Sequence, residues 1–167
     1  MLPEPLLGQE AVMATTKEDR CGKVVRSFQL ISEDSCFGPL PEPGTEIEQH
    51  LTISRTGRVW FSGYCCTEDY TGPVKLGRRK NCRIDPSQAE KIVQKMASHF
   101  VVAPDCWATD IGMWGLTLRF TDGTVEHYRG SMCYNIKASI DGIPLTTYMR
   151  NVLPIENLFL FEIEYEE

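Results

Sequence analysis

The chain has 167 residues, 42% of them hydrophobic and 24% charged, and its 17 Lys and Arg against 23 Asp and Glu leave a formal net charge of −6. That make-up is ordinary for a globular protein large enough to bury a core, while the acidity disfavours generic attraction to nucleic acid or anionic membrane. No apolar run approaches the roughly 20 residues that cross a bilayer, so no membrane contact is expected.

Residues 1–22 hold Pro, Glu, Thr and Lys with no sustained period, and they lack the basic start and continuous apolar run of a secretory signal. A loosely ordered arm on a cytoplasmic protein is expected, with residues 23–167 forming one domain. Val24 to Ile31 is the first strand candidate, and the prolines and glycines between Ser32 and Gly44 predict a loop. Leu51 and Ile53 then alternate with polar neighbours, Arg55-Thr56-Gly57-Arg58 supplies a turn, and Val59, Phe61 and Gly63 alternate with Trp60, Ser62 and Tyr64. This is the pattern of a hairpin. Gly72, Pro73 and Gly77 break the stretch from Cys65 to Arg83, which predicts at most two short strands, near Val74 and Ile84.

Asp85 to Phe100 is the clearest helix. Asp85 suits the N-cap and Pro86 the first helical position. Ala89, Ile92, Val93, Met96, Ala97 and Phe100 form one apolar stripe at helical spacing. After a loop from Val101 to Met113, Trp114, Leu116, Leu118 and Phe120 share one face of a strand, Asp122-Gly123 gives a tight turn, and Val125, His127 and Arg129 share a face of the return strand. Residues 131–141 are irregular. Pro144 opens a second helix, with Leu145, Tyr148, Met149 and Val152 on one side, and Pro154 closes it. Asn157 to Tyr165 predicts a last strand with Phe159, Phe161, Ile163 and Tyr165 on one face.

The expected fold is therefore α+β: a mainly antiparallel sheet built from two hairpins plus flanking strands, with two amphipathic helices on one face. Thr56-Gly57-Arg58-Val59-Trp60-Phe61, the helix and the Asp122-Gly123 turn together resemble small bacterial α+β domains. The resemblance covers about half the chain and implies no activity.

Four constellations bear on chemistry. Cys65, Cys66 and Cys82, with Cys36, are soft ligands, but no C-x-x-C pair is present and adjacent strand cysteines point apart, so neither metal nor cofactor is expected. The odd count of seven cysteines, which includes Cys21, Cys106 and Cys133, predicts free thiols. Cys106 in a loop, with His127, His50 or His99 as a base, is a candidate nucleophile, although it follows the helix C-terminus, the wrong end of the dipole for a thiolate. Asp105 and Asp110 beside Trp107 are candidate acid–base carboxylates that serve equally well as turn caps. The fourth feature is a basic run of Lys75, Arg78, Arg79, Lys80 and Arg83, with Tyr64 and Tyr70 nearby, in an otherwise acidic chain. It is read as an exposed loop that meets an acidic protein surface.

The first reading is a non-enzymatic protein-interaction module using that run. One alternative is a small hydrolase or transferase built on Asp105, Cys106 and Asp110. The other is a nucleic-acid accessory protein using residues 75–83, which the net charge disfavours.

Overall fold

The computed structural model describes residues 22–34, 40–68, 73–102, 104 and 107–162. The expected arm, and Cys21, Cys36, Tyr70, Asp105, Cys106, Ile163 and Tyr165, lie outside the described residues. Among the described residues the main sheet has six strands: β1 (Val25–Glu33), β2 (Glu46–Ser54), β3 (Arg58–Cys65), β4 (Lys75–Arg83), β5 (Met113–Phe120) and β6 (Val125–Ser131). Every pairing is antiparallel, and the spatial order is β4-β3-β2-β1-β5-β6. A small pair, β7 (Ser139–Ile140) and β8 (Ile143–Pro144), precedes the second of the two helices, α1 (Pro86–His99) and α2 (Leu145–Val152).

Helix α1 forms where its stripe predicts. Asp85 accepts hydrogen bonds from the backbone N–H groups of Ser87 at 2.8 Å and Gln88 at 3.3 Å, which occupies two of the donors a helix start leaves open. Ala89, Ile92, Val93, Met96 and Ala97 are buried, as is Phe100 just past the C-terminus. They meet the inward residues of the sheet: Phe28 and Leu30 of β1, Leu51 and Ile53 of β2, Val59 and Phe61 of β3, and Trp114, Leu116 and Leu118 of β5. Leu145 and Met149 of α2 join the same core.

Among the described residues nothing covers the opposite face of the sheet, and register sets its side chains in rows. One row runs Asn81–Trp60–Thr52–Gln29–Thr117–His127 across the strands. The next runs Arg79–Ser62–His50–Ile31–Gly115–Arg129. On the other side of the first row, Arg83 stands opposite Arg58, and Ser54, Ser27, Arg119 and Val125 follow across the sheet.

Two expectations are corrected. Residues 75–83 are neither a loop nor two short pieces near Val74 and Ile84 but one nine-residue strand, β4, paired with β3 from Arg83↔Arg58 to Lys75↔Cys65. Gly77 sits at a shift in that register, where a Cβ would crowd the Cys65 sulfur at 2.5 Å, so this glycine lets the strand continue past a residue that would block it. The second correction concerns the C-terminal segment. Over its described part, Asn157 to Glu162 is a turn-rich segment with one isolated bridge, Cys133↔Glu162. Asn157 and Leu160 both take positive φ, near 52° and 54°, which breaks an extended run. Leu158, Leu160 and Phe161 are nonetheless buried, because side chains hold this backbone against the sheet. Ser32 donates to the Leu160 carbonyl at 2.5 Å, and the Gln49 amide donates to the Asn157 carbonyl at 2.7 Å and accepts from the Phe159 N–H at 2.9 Å.

The aromatic end of the core contains a titratable group. The His99 ring packs on Phe100 at 4.9 Å and hydrogen-bonds the Tyr134 hydroxyl at 2.8 Å, and burial lowers its pKa below the ordinary value near 6.5. A histidine that resists protonation when folded stabilises the fold fully above pH 6.5 and loses that contribution as pH falls through its folded pKa. The urea midpoint of the wild type is therefore expected to fall more than that of His99→Phe between about pH 7.5 and pH 5, a range that brackets the ordinary imidazole value. Parallel curves for the two proteins would remove His99 from the balance.

Candidate functional site

Because β4 is a strand, its charges alternate between two surfaces. Arg79, Asn81 and Arg83 face outward with Ser62, Trp60 and Arg58, while Arg78, Lys80 and Cys82 share the inner side with Gly63, Phe61 and Val59. Sequence reasoning found the basic run but treated it as one patch; the fold divides it. Arg79, Lys80 and Arg83 are exposed, and none of them forms an ion pair among the described residues. Among the described residues β4 is also the last strand of the sheet, and no neighbouring strand takes up the N–H and C=O groups of its outer edge.

The inner side of β4 opens on a groove of about 930 Å³. Phe61, Arg78 and Lys80 form its sheet wall, Arg150 of α2 contributes from below, and residues 153–159 form the far wall with Leu153, Pro154, Ile155, Leu158 and Phe159. The sheet wall is therefore cationic, while the far wall sets apolar Leu153, Pro154, Ile155, Leu158 and Phe159 beside the exposed Glu156 and Asn157.

The cations differ in freedom. Arg78 makes a two-pronged contact with Glu46, Nε to Oε2 at 2.7 Å and Nη2 to Oε1 at 2.8 Å, donates to the Glu156 carbonyl at 2.9 Å and lies 4.8 Å over the Phe61 ring. The hydrogen bond to Glu46 raises the guanidinium pKa, so Arg78 is a fixed structural cation. The Glu46 carboxylate lies directly on the Gly63 backbone, where any Cβ would overlap it. Gln49 donates to the same carboxylate at 2.6 Å. Arg150 is held by the carbonyls of Leu158, Phe159 and Glu162 at 3.1–3.3 Å. Lys80 has no ion pair among the described residues and lines the same groove, exposed.

The remaining sequence candidates fall elsewhere. Asp110 is exposed in the loop before β5. His127 lies on the uncovered face of β6, with Nδ1 3.0 Å from the Thr117 hydroxyl. Neither lines the groove. Cys66 is buried and donates to the Glu42 carbonyl at 2.9 Å, Cys82 packs against the core, and burial, with Glu46 alongside, pushes the Cys65 thiol pKa up, away from a reactive thiolate. Among the described residues, no group of three or more His, Cys, Asp and Glu is placed to hold a metal ion.

Three residues that the structure sets apart, Gln49, Trp60 and Arg150, escaped the sequence reading. Gln49 occupies the inward register of β2, two residues before Leu51, and a polar side chain at an inward position is a signal that alternation alone can reveal. Trp60 stands on the outward register of β3, where an indole is costly to expose. Arg150 carried no local signal, since its partners, the carbonyls of Leu158, Phe159 and Glu162 and the Glu162 carboxylate at 3.7 Å, lie 8 to 12 positions away. No protein-family model matches the chain, and no curated protein matches its sequence.

Proposed function

We propose that the protein is a non-enzymatic interaction module that takes an acidic, extended segment of a partner protein along the β4 edge, with apolar side chains of that segment seated in the groove. One observation carries this reading: a strand at the edge of the sheet among the described residues, with the exposed Arg79, Lys80 and Arg83, borders a groove whose other wall carries Leu153, Pro154, Ile155 and Phe159 beside Glu156 and Asn157. An added strand gains main-chain hydrogen bonds from the edge and specificity from alternate side chains. Acidic residues on that strand meet Lys80, and its apolar residues meet Leu153, Ile155 and Phe159. The same cations repel a second β4 edge, so the charge selects a partner and also guards against self-pairing. Free thiols at Cys65, Cys66 and Cys82 suit a reducing, cytoplasmic setting. The alternative enzyme reading gains no support from Asp110 and His127, which share no cavity with the groove.

Selection from a displayed peptide library tests the proposal. The wild type is expected to enrich peptides that alternate acidic and apolar residues, and Lys80→Glu is expected to lose them. Enrichment of peptides with no acidic bias, or binding that Lys80→Glu leaves intact, would exclude this use of the edge.

A further inference from the structure

The uncovered face of the sheet is chemically distinct from the groove. Five arginines stand on it, Arg58, Arg79, Arg83, Arg119 and Arg129, all exposed, and none is ion-paired among the described residues. Among the described residues the carboxylates on the face are Glu33 and Glu48, both at one end, and Glu48 is engaged by His50. A chain with a net charge of −6 therefore presents a positive sheet face. Arg58 and Arg83 lie along one side of the Trp60 row with Arg119, and Arg79 and Arg129 along the other. Successive rows are roughly 6.5–7 Å apart, and six strands span about 24 Å.

Between the arginines lies a strip of different character. Trp60 is 40% exposed, and Asn81, Thr52, Gln29 and Thr117 continue its row with donors and acceptors. A second aromatic platform is Trp107, 56% exposed, with the Arg129 guanidinium 5.5 Å over its ring. In the row beside the strip, Gly115 leaves a notch: a Cβ there would meet nothing within 4 Å.

We infer that this face binds single-stranded nucleic acid, with a base stacked on Trp60, neighbouring bases hydrogen-bonded along the strip and phosphates drawn to the flanking arginines. Stacking on an aromatic platform inside a positive surface is how unpaired strands are held without strict sequence choice. A duplex keeps its base faces inside the helix, where a flat sheet cannot reach them. An acidic protein surface satisfies the arginines and leaves the Trp60 face without a role. The strip, about 24 Å long, accommodates roughly four nucleotides at an extended spacing of about 6 Å. The site is on the opposite side of the sheet from the groove and does not depend on the peptide reading.

Fluorescence anisotropy with labelled ten-nucleotide oligo-dT and oligo-rU across a salt series provides the test. The wild type is expected to bind in the micromolar range at 0.15 M salt, to weaken as salt rises and to show quenched tryptophan emission. Trp60→Ala is expected to weaken binding roughly 5- to 150-fold, Trp60→Phe to restore most of it, and Arg58→Glu with Arg119→Glu to remove it. These side chains are exposed, so the substitutions leave the core intact. Lys80→Glu is expected to lose peptide binding and keep oligonucleotide binding. The inference fails on any of four results: no binding at protein concentrations on the order of 100 μM, equal affinity for a matched duplex, binding indifferent to Trp60→Ala, or full displacement by polyglutamate at equal charge concentration.

Discussion

Phe100→Ala is expected to lower the free energy of unfolding by about 3–5 kcal/mol, the range for removing a fully buried aromatic side chain. Phe100 is 1% exposed and is the hub of the aromatic end of the core. Its ring centroid lies 5.5 Å from Trp114, 5.4 Å from Phe161, 5.7 Å from Tyr128 and 6.0 Å from Tyr134. Those partners come from β5, β6 and two loops, so the cavity cannot close by the shift of a single side chain. The backbone hydrogen bond from the Phe100 N–H to the Met96 carbonyl at 3.1 Å survives the substitution, which isolates the loss to packing. Chemical denaturation measures it directly, and a loss below about 1 kcal/mol would be too small for a truncated core aromatic.

Gln49→Met is expected to cost about 2–4 kcal/mol, since methionine keeps the volume and removes every hydrogen bond. The substitution removes the side-chain partner of the part-buried Phe159 N–H and Asn157 carbonyl, and a group left unsatisfied in such a place costs about 1–2 kcal/mol. It also takes a donor from Glu46, the carboxylate that fixes Arg78. The expected damage is thus local to the far wall of the groove. Hydrogen exchange should accelerate at Phe159 while the amides of Leu30 and Leu116 in the sheet centre keep their protection, and selected peptides should bind more weakly. Unchanged exchange at Phe159 would show that the segment is held by its apolar side chains alone.

The sequence was most informative where structure is local. The helix from Asp85 to Phe100 could be read because its cap, its proline and its apolar stripe all lie within sixteen consecutive positions. The strand from Lys75 to Arg83 could not, because an edge strand rich in cations has no apolar alternation to detect, and Gly77 resembled a break where it actually accommodates the Cys65 sulfur. The opposite error occurred at the C-terminal segment. Its apolar residues alternate well enough to suggest a strand, yet its backbone partners are the side chains of Ser32 and Gln49, 128 and 110 positions away from Leu160 and Phe159. Nothing local encodes such a contact. The candidate site divided in the same way: the basic run was visible, while the apolar wall opposite it and the arginines of four separate strands are products of topology.

The position of β1 has a kinetic and mechanical meaning. β1 to β4 with α1 form one contiguous stretch of chain, and β5, β6 and α2 form another; the β1–β5 ladder stitches the two together. That ladder joins positions roughly 80–95 residues apart, so relative to a hairpin turn of about four residues its closure costs about 2.5–3 kcal/mol more in loop entropy. The sheet is thus two quickly formed leaves joined by one slow seam. A strand of nucleic acid lying from Trp60 to Arg129 would cross that seam and act as a staple between the leaves, turning occupancy of the face into resistance to their parting.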